Sequence, residues 1–174
     1  MILKPQEAEY APFYAGYVGK VPAGGPRALL DDQIAAFTAL RALPEEKGNY
    51  RYADGKWTVK ELLGHMADTE RVFGYRLLRI ARNDQTPLAG FDENAWAANA
   101  PHGHRVLRDI ADEMTAVRRA TQALIWSLDE AAVSRQALAN NKVITARALV
   151  WIIAGHAQHH LDILRDRYDL RLTA

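Results

Sequence analysis

The chain has 174 residues, 49% of them apolar and 25% charged, with a formal net charge of +1. That length suffices for one domain with a real core, and the composition is ordinary for a soluble globular protein. The near-zero charge supplies no field to draw nucleic acid or an anionic membrane, and the absence of cysteine excludes disulfides, thiolate metal sites and a cysteine nucleophile.

Residues 1–25 are punctuated by Pro5, Pro12, Gly16, Gly19, Pro22, Gly24 and Gly25, and they carry Tyr10, Phe13, Tyr14 and Tyr17. This pattern reads as an N-terminal extension, a short helix or turn packed on the body, with its aromatics serving as packing. The first residues lack the apolar core of a signal peptide, and no apolar run reaches membrane-spanning length. The default expectation is therefore a cytoplasmic protein with no membrane partner.

Pro26 opens the first long helix, a favoured place for proline. Leu29, Leu30, Ile34, Phe37, Leu40 and Leu43 then recur at helical spacing until Pro44 ends the run. Residues 45–56 read as a polar loop. Thr58 and Glu61 form a capping box, and Trp57 and Leu62 a hydrophobic staple, which predicts a second helix over 59–82. Its apolar stripe is Val59, Leu62, Leu63, Met66, Phe73, Leu77 and Ile80. His65 lies on one flank in line with Thr69, Glu70 lies on the other, and Asp68 points to the opposite side.

Residues 83–104 form the longest irregular connection, containing Pro87, Gly90, Pro101 and Gly103, and they predict a site loop or a crossover. Asp92, Glu93 and Asn94 within it either line a pocket mouth or cap a short helix at Ala95 and Trp96. A third helix is predicted over 106–128, with Leu107, Ile110, Met114, Val117, Thr121, Leu124 and Leu128 inward and a charged outer face. Residues 129–144 are mixed and end in Asn140-Asn141, a turn signal. The fourth helix, 145–168, places Leu149, Ile152, Ile153, His156, His160, Ile163 and Leu164 on one face, with His159 at its edge. Val150, Trp151 and Leu161 point elsewhere, so this helix is either central or partly covered by another subunit. Four amphipathic helices with no convincing strand predict an all-α four-helix bundle, whose inward side chains on facing helices can build metal sites.

The chemistry concentrates on histidines. Residues four apart on a helix project about 40° from one another, so His156 and His160 point the same way and can share one ion. Imidazoles in the middle of an apolar stripe are costly unless their ring nitrogens are paired. His65, at the border of another helix's core stripe, is the best third ligand. His102 and His104 follow Pro101 in a loop and are weaker candidates. Three protein ligands leave a position open for water or substrate. The competing reading is a set of core or interface histidines satisfied by hydrogen bonds. Glu70 is a candidate base or partner of the ligands, against a salt-bridged carboxylate. His159 is a candidate for orienting a ligand or binding substrate. Asp92 is a candidate at the pocket mouth. No Ser/His/Asp set, phosphate-binding glycine loop or nucleotide fingerprint is visible.

The stretch Trp57-Thr58-Val59-Lys60-Glu61-Leu62-Leu63-Gly64-His65-Met66-Ala67-Asp68-Thr69-Glu70-Arg71 resembles the first metal-ligand helix of the DinB-like superfamily. Gly90-Phe91-Asp92-Glu93-Asn94-Ala95-Trp96 resembles the loop of one branch, and Ala154-Gly155-His156-Ala157-Gln158-His159-His160 resembles the closing motif, so that order and spacing fit across residues 25–170. The resemblance implies a four-helix bundle with a long crossover, often dimeric. It also implies a divalent metal, typically nickel or zinc, on three histidines that map to His65, His156 and His160. It further implies a metal-dependent hydrolase, or a transferase using a low-molecular-weight thiol as cosubstrate, acting on a small molecule. A bound metal would lower the pKa of water or thiol in its open position. A metal-binding, non-enzymatic dimeric module is the alternative.

Overall fold

A computed structural model describes residues 2–172, so Met1, Thr173 and Ala174 of the expected 1–174 domain lie outside the described residues. The helices are α1 (Ala15–Val18), α2 (Pro26–Leu40), α3 (Glu45–Gly48), α4 (Val59–Ala81), α5 (Glu93–Asn99), α6 (Leu107–Trp126), α7 (Glu130–Ser134) and α8 (Ala146–Tyr168). Two short strands, β1 (Gln136–Ala139) and β2 (Lys142–Thr145), stand between α7 and α8. The four long helices α2, α4, α6 and α8 make a bundle. No helix among the described residues is long and apolar enough to cross a membrane.

Local chemistry sets the helix ends. At α4, the Glu61 amide donates to Thr58 Oγ1 (3.2 Å) while Glu61 Oε2 accepts from the Thr58 amide (2.6 Å), the reciprocal cap that the sequence predicts. Thr145 Oγ1 accepts from the Ala148 amide (3.0 Å) and opens α8. α2 ends at Leu40, before the predicted Leu43, because the amides of residues 41–43 donate three residues back, tightening the chain into 3-10 turns ahead of Pro44.

Side-chain pairs fix the helix directions. Asp31 meets Gln122 and Arg41 meets Asp112, so α2 and α6 are antiparallel. Tyr168 donates to the Trp57 carbonyl while Phe73 packs on His156, so α4 and α8 are antiparallel. Glu70 meets Arg118, and Gly74 lies beside Thr121, so α4 and α6 run parallel. A parallel pair needs a connection that returns the length of the bundle, and residues 82–106, carrying α5, supply that crossover.

The expectation of no strand is corrected. β1 and β2 pair antiparallel, with Gln136 opposite Thr145 and Ala139 opposite Lys142. Asn140 and Asn141 both take positive φ (50° and 58°), the geometry of a tight two-residue hairpin turn, which asparagine tolerates. Four residues per strand are too few for period-2 alternation to stand out, and Leu138 and Val143 point to solvent. The hairpin also anchors the crossover: the Leu88 amide donates to the Leu138 carbonyl, and the Asn140 amide to the Leu88 carbonyl (both 2.9 Å).

The inward stripe of α6 is rotated from its predicted position. Ala111, Met114, Thr115, Arg118, Thr121, Gln122 and Ile125 are buried, while Val117, Leu124 and Leu128 are only half-buried. The extra apolar faces of α8 are covered from within the chain. Tyr17 seats its backbone against Gly155, where any Cβ would overlap the Tyr17 carbonyl. Trp151, 2% exposed, donates its indole N–H towards the Ile2 carbonyl (3.4 Å). A polar layer separates two apolar cores. One core holds Leu30, Leu77, Ile125 and Ile152, and the other Phe37, Met66, Met114 and Leu164.

Candidate metal centre

That polar layer draws one or more residues from each long helix: Gln33 from α2, His65 and Glu70 from α4, Arg118 from α6, and His156 and His160 from α8. All six are at most 7% exposed.

One half of the layer is closed upon itself. Arg118 grips Glu70 through two parallel hydrogen bonds, Nε to Oε1 (2.7 Å) and Nη2 to Oε2 (2.6 Å). Its remaining edge donates to Gln33 Oε1, and Gln33 passes a hydrogen bond to the Ala154 carbonyl (2.9 Å). A bidentate, fully desolvated pair of this kind is tolerated in a core because every charge and donor meets a partner. Glu70 is thus an ion-paired carboxylate tying four helices together.

The other half is three imidazoles. His65, His156 and His160 each offer a ring nitrogen, and these atoms all lie within 4.8 Å of one another. His156 Nε2 and His160 Nε2 are 3.0 Å apart. Two nitrogens bound to one ion at about 2.0–2.1 Å, and spread roughly between a right angle and a tetrahedral one, would sit about 2.9–3.4 Å from each other. Burial holds His65 down to about 4, and burial first, with mutual repulsion second, holds His156 and His160 well below the usual imidazole value. All three are therefore neutral near pH 7, the state in which an imidazole offers a lone pair. His65 Nδ1 lies 3.4 Å from Thr69 Oγ1, and donation to that oxygen leaves His65 Nε2 as the free lone pair. His160 Nδ1 is buried with no hydrogen-bond partner among the described residues, while its Nε2 faces His156 Nε2. The residues present fit one divalent ion, with imidazole nitrogen as the donor set.

Aromatic rings wall the cluster. Trp57 packs on His65 (4.8 Å between centroids), Tyr17 on His156 (5.3 Å) and Phe73 on His156 (5.8 Å). A cleft of about 100 Å³ reaches His156 from the surface between α1, α4 and the crossover, lined by Tyr14, Tyr17, Phe73, Arg76, Phe91 and the histidine itself. A larger hollow of about 470 Å³ lies outside α4 against Tyr75 and Trp96, and none of the three histidines lines it.

The remaining candidates fall elsewhere. His159 is half-buried against Tyr17 (5.4 Å), and its ring lies beside, not among, the converging nitrogens. Asp92 caps α5, its Oδ1 accepting from the Asn94 and Ala95 amides (both 3.0 Å). Asp92 itself is exposed and does not line the cleft, whereas Glu93 beside it does. His102 is buried outside the trio, on the notch left by Gly64, with Nε2 3.2 Å from Asp68 Oδ2. Sequence reasoning missed Gln33, Arg76 and Arg118. Arg118 sat on what read as a charged outer face, yet it stands one helical turn from both Met114 and Thr121, which is the signal that could have found it.

A family model described as the DinB superfamily matches residues 29–164. A curated protein of Oceanobacillus iheyensis, named "Putative metal-dependent hydrolase", is 24% identical over 136 residues, 74% of this chain and 78% of that protein. One of Bacillus licheniformis with the same name is 30% identical over 136 residues, 71% of this chain and 72% of that protein. Among solved structures, YfiT from Bacillus subtilis is described as "a probable metal-dependent hydrolase with an unusual four-helix bundle topology". It superposes with a TM-score of 0.70 at 19% identity, covering 93% of this chain and 91% of that one, which speaks to the fold.

Proposed function

The chain belongs to the DinB superfamily, and on that footing we propose that it is a divalent-metal-dependent enzyme acting on a small molecule. The reaction is a hydrolysis or the transfer of a low-molecular-weight thiol. The observation that carries this reading is the convergence of three neutral, buried ring nitrogens from two helices, with His156 among them lining a cleft. An open cleft ending on a ligand favours an enzyme over a binding module, whose metal would be closed off by four protein groups.

His65, His156 and His160 hold the ion. Zinc or nickel suits three imidazoles, and the bound ion supplies Lewis acidity that makes water or a thiol nucleophilic near neutral pH. Thr69 orients His65. Trp57, Tyr17 and Phe73 exclude bulk water from the ring edges, which strengthens electrostatic interactions at the reacting atoms. Glu70 is held by Arg118 and acts as a strut keeping α4 and α6 in register, so that the base must come from the cleft or from the nucleophile's own solvent. A homodimer in the cytoplasm without nucleic-acid or membrane partners belongs to the same proposal.

The test is metal analysis of the purified protein followed by turnover. One equivalent of zinc or nickel in the wild type, lost in His65→Ala, supports the site. A full equivalent retained by that variant removes His65 from the ligand set. A screen of esters and amides, run with and without small thiols and electrophiles, separates the reactions: turnover without thiol excludes the transferase, and turnover only with thiol excludes the hydrolase. Light scattering reads the dimer.

A further inference from the structure

Two arginines are buried among the described residues, Arg118 at 0% and Arg76 at 3% exposure. Arg118 is fully paired. Arg76 donates Nη2 to the Ala89 carbonyl (2.7 Å) and lies over the Phe91 ring (5.8 Å), but no carboxylate among the described residues comes within ion-pair distance of it. A guanidinium withdrawn from water without an anion is costly, and native proteins pair such charges. Arg76 lines the same cleft as His156.

We propose that Arg76 is the anchor for a substrate carboxylate, so that the molecule processed at the three histidines is a small carboxylic acid with an apolar or aromatic stem. This rests on the metal-enzyme reading for the chemistry, though not for the binding. The planar guanidinium fork matches a carboxylate edge to edge. Tyr14, beside Arg76 on the cleft wall, brings a hydroxyl to the same place, and Phe73 and Phe91 supply the apolar walls. Glu93 stands exposed on the rim, and its negative charge repels a dianion such as phosphate more strongly than a single carboxylate. The acid group then sits at the Arg76 end and the reacting atom at the His156 end.

The test is titration calorimetry of propionate, 3-phenylpropionate and inorganic phosphate into wild type, Arg76→Gln, Arg76→Lys and His65→Ala, with zinc binding measured on each. The expected result is binding of both carboxylates, the phenyl compound more tightly. Arg76→Gln loses at least tenfold in that affinity, Arg76→Lys recovers part of it, and neither substitution changes zinc binding. Equal carboxylate binding by Arg76→Gln, or tighter binding of phosphate than of either acid, overturns the proposal. So does a wild type that takes zinc and no carboxylate, and that result leaves the metal reading standing. Carboxylate binding retained by a zinc-free His65→Ala protein supports the anchor independently of the metal. Should Arg76→Gln fail to fold, a crystal structure of the wild type with propionate decides. Its carboxylate on Arg76 supports the anchor, and a cleft without it overturns the anchor.

Discussion

The two halves of the polar layer hold similar numbers of buried polar groups and solve their burial differently. Gln33, Glu70 and Arg118 close a network in which charge meets charge and the chain ends on the Ala154 carbonyl. His65, His156 and His160 form no such closed network: apart from the contact of His65 with Thr69, they stay neutral and aim nitrogens at one another. A satisfied network fixes helix positions, whereas a cluster with spare lone pairs is positioned to receive something. Proximity on the same layer couples the two, since the first holds in register the helices that the second needs.

The sharpest way to break the contrast is to remove one partner of the closed half. Arg118→Ala leaves Glu70 charged and buried, and should cost about 3–5 kcal/mol in chemical denaturation. Replacing Glu70 and Arg118 together by Leu and Met should return much of that loss. A single variant as stable as wild type would mean that the pair carries no strain on removal.

Acid should act on the open half. His65 has a folded pKa of about 4 against an ordinary 6.5, so the unfolded chain binds more protons between those values. Its contribution to metal-free stability is complete above about pH 6.5 and is lost as pH falls towards about 4, roughly 3 kcal/mol in all. His156 and His160 shift in the same direction. Comparing wild type with His65→Gln isolates this from the acid loss of surface ion pairs, and identical pH slopes would refute it.

Filling the open half should make it resemble the closed one. Zinc at a hundredfold its dissociation constant should raise unfolding stability by about 2.7 kcal/mol. That gain should vanish in His160→Ala, and a zinc effect surviving there would locate binding elsewhere. The smallest effect belongs to Thr69→Val, which removes the acceptor for His65 Nδ1. It should weaken zinc affinity about tenfold, read by competition with a chelator, while changing metal-free stability little.

What was legible in the sequence follows from this same contrast. Three imidazoles inside apolar stripes violate the expected pattern, so they announce themselves, and the Thr58/Glu61 cap places His65 on its helix before any tertiary information. Arg118 and Gln33 do not violate anything: a charged or polar residue beside an apolar stripe reads as the solvent face until the partner helix is known. The stripe of α6 lies about one position from its predicted place, with Arg118 buried against Glu70 while Val117 and Leu124 stay half-buried. The hairpin was invisible for a different reason. Its strands are short, and its role is to hold the crossover at Leu88 and Gly90, a contact that periodicity within one segment cannot reveal.

The seating of Tyr17 against Gly155 carries an evolutionary consequence. The region matched by the family runs over residues 29–164 and contains all three histidines, whereas Tyr14 and Tyr17, which wall the cleft, precede it. The three histidines and part of the wall of the cleft that leads to His156 are thus written in separate stretches of the sequence. Exchanging the leading stretch between relatives would reshape that wall while leaving the three histidines in place, provided position 155 stays glycine so that the new stretch can land.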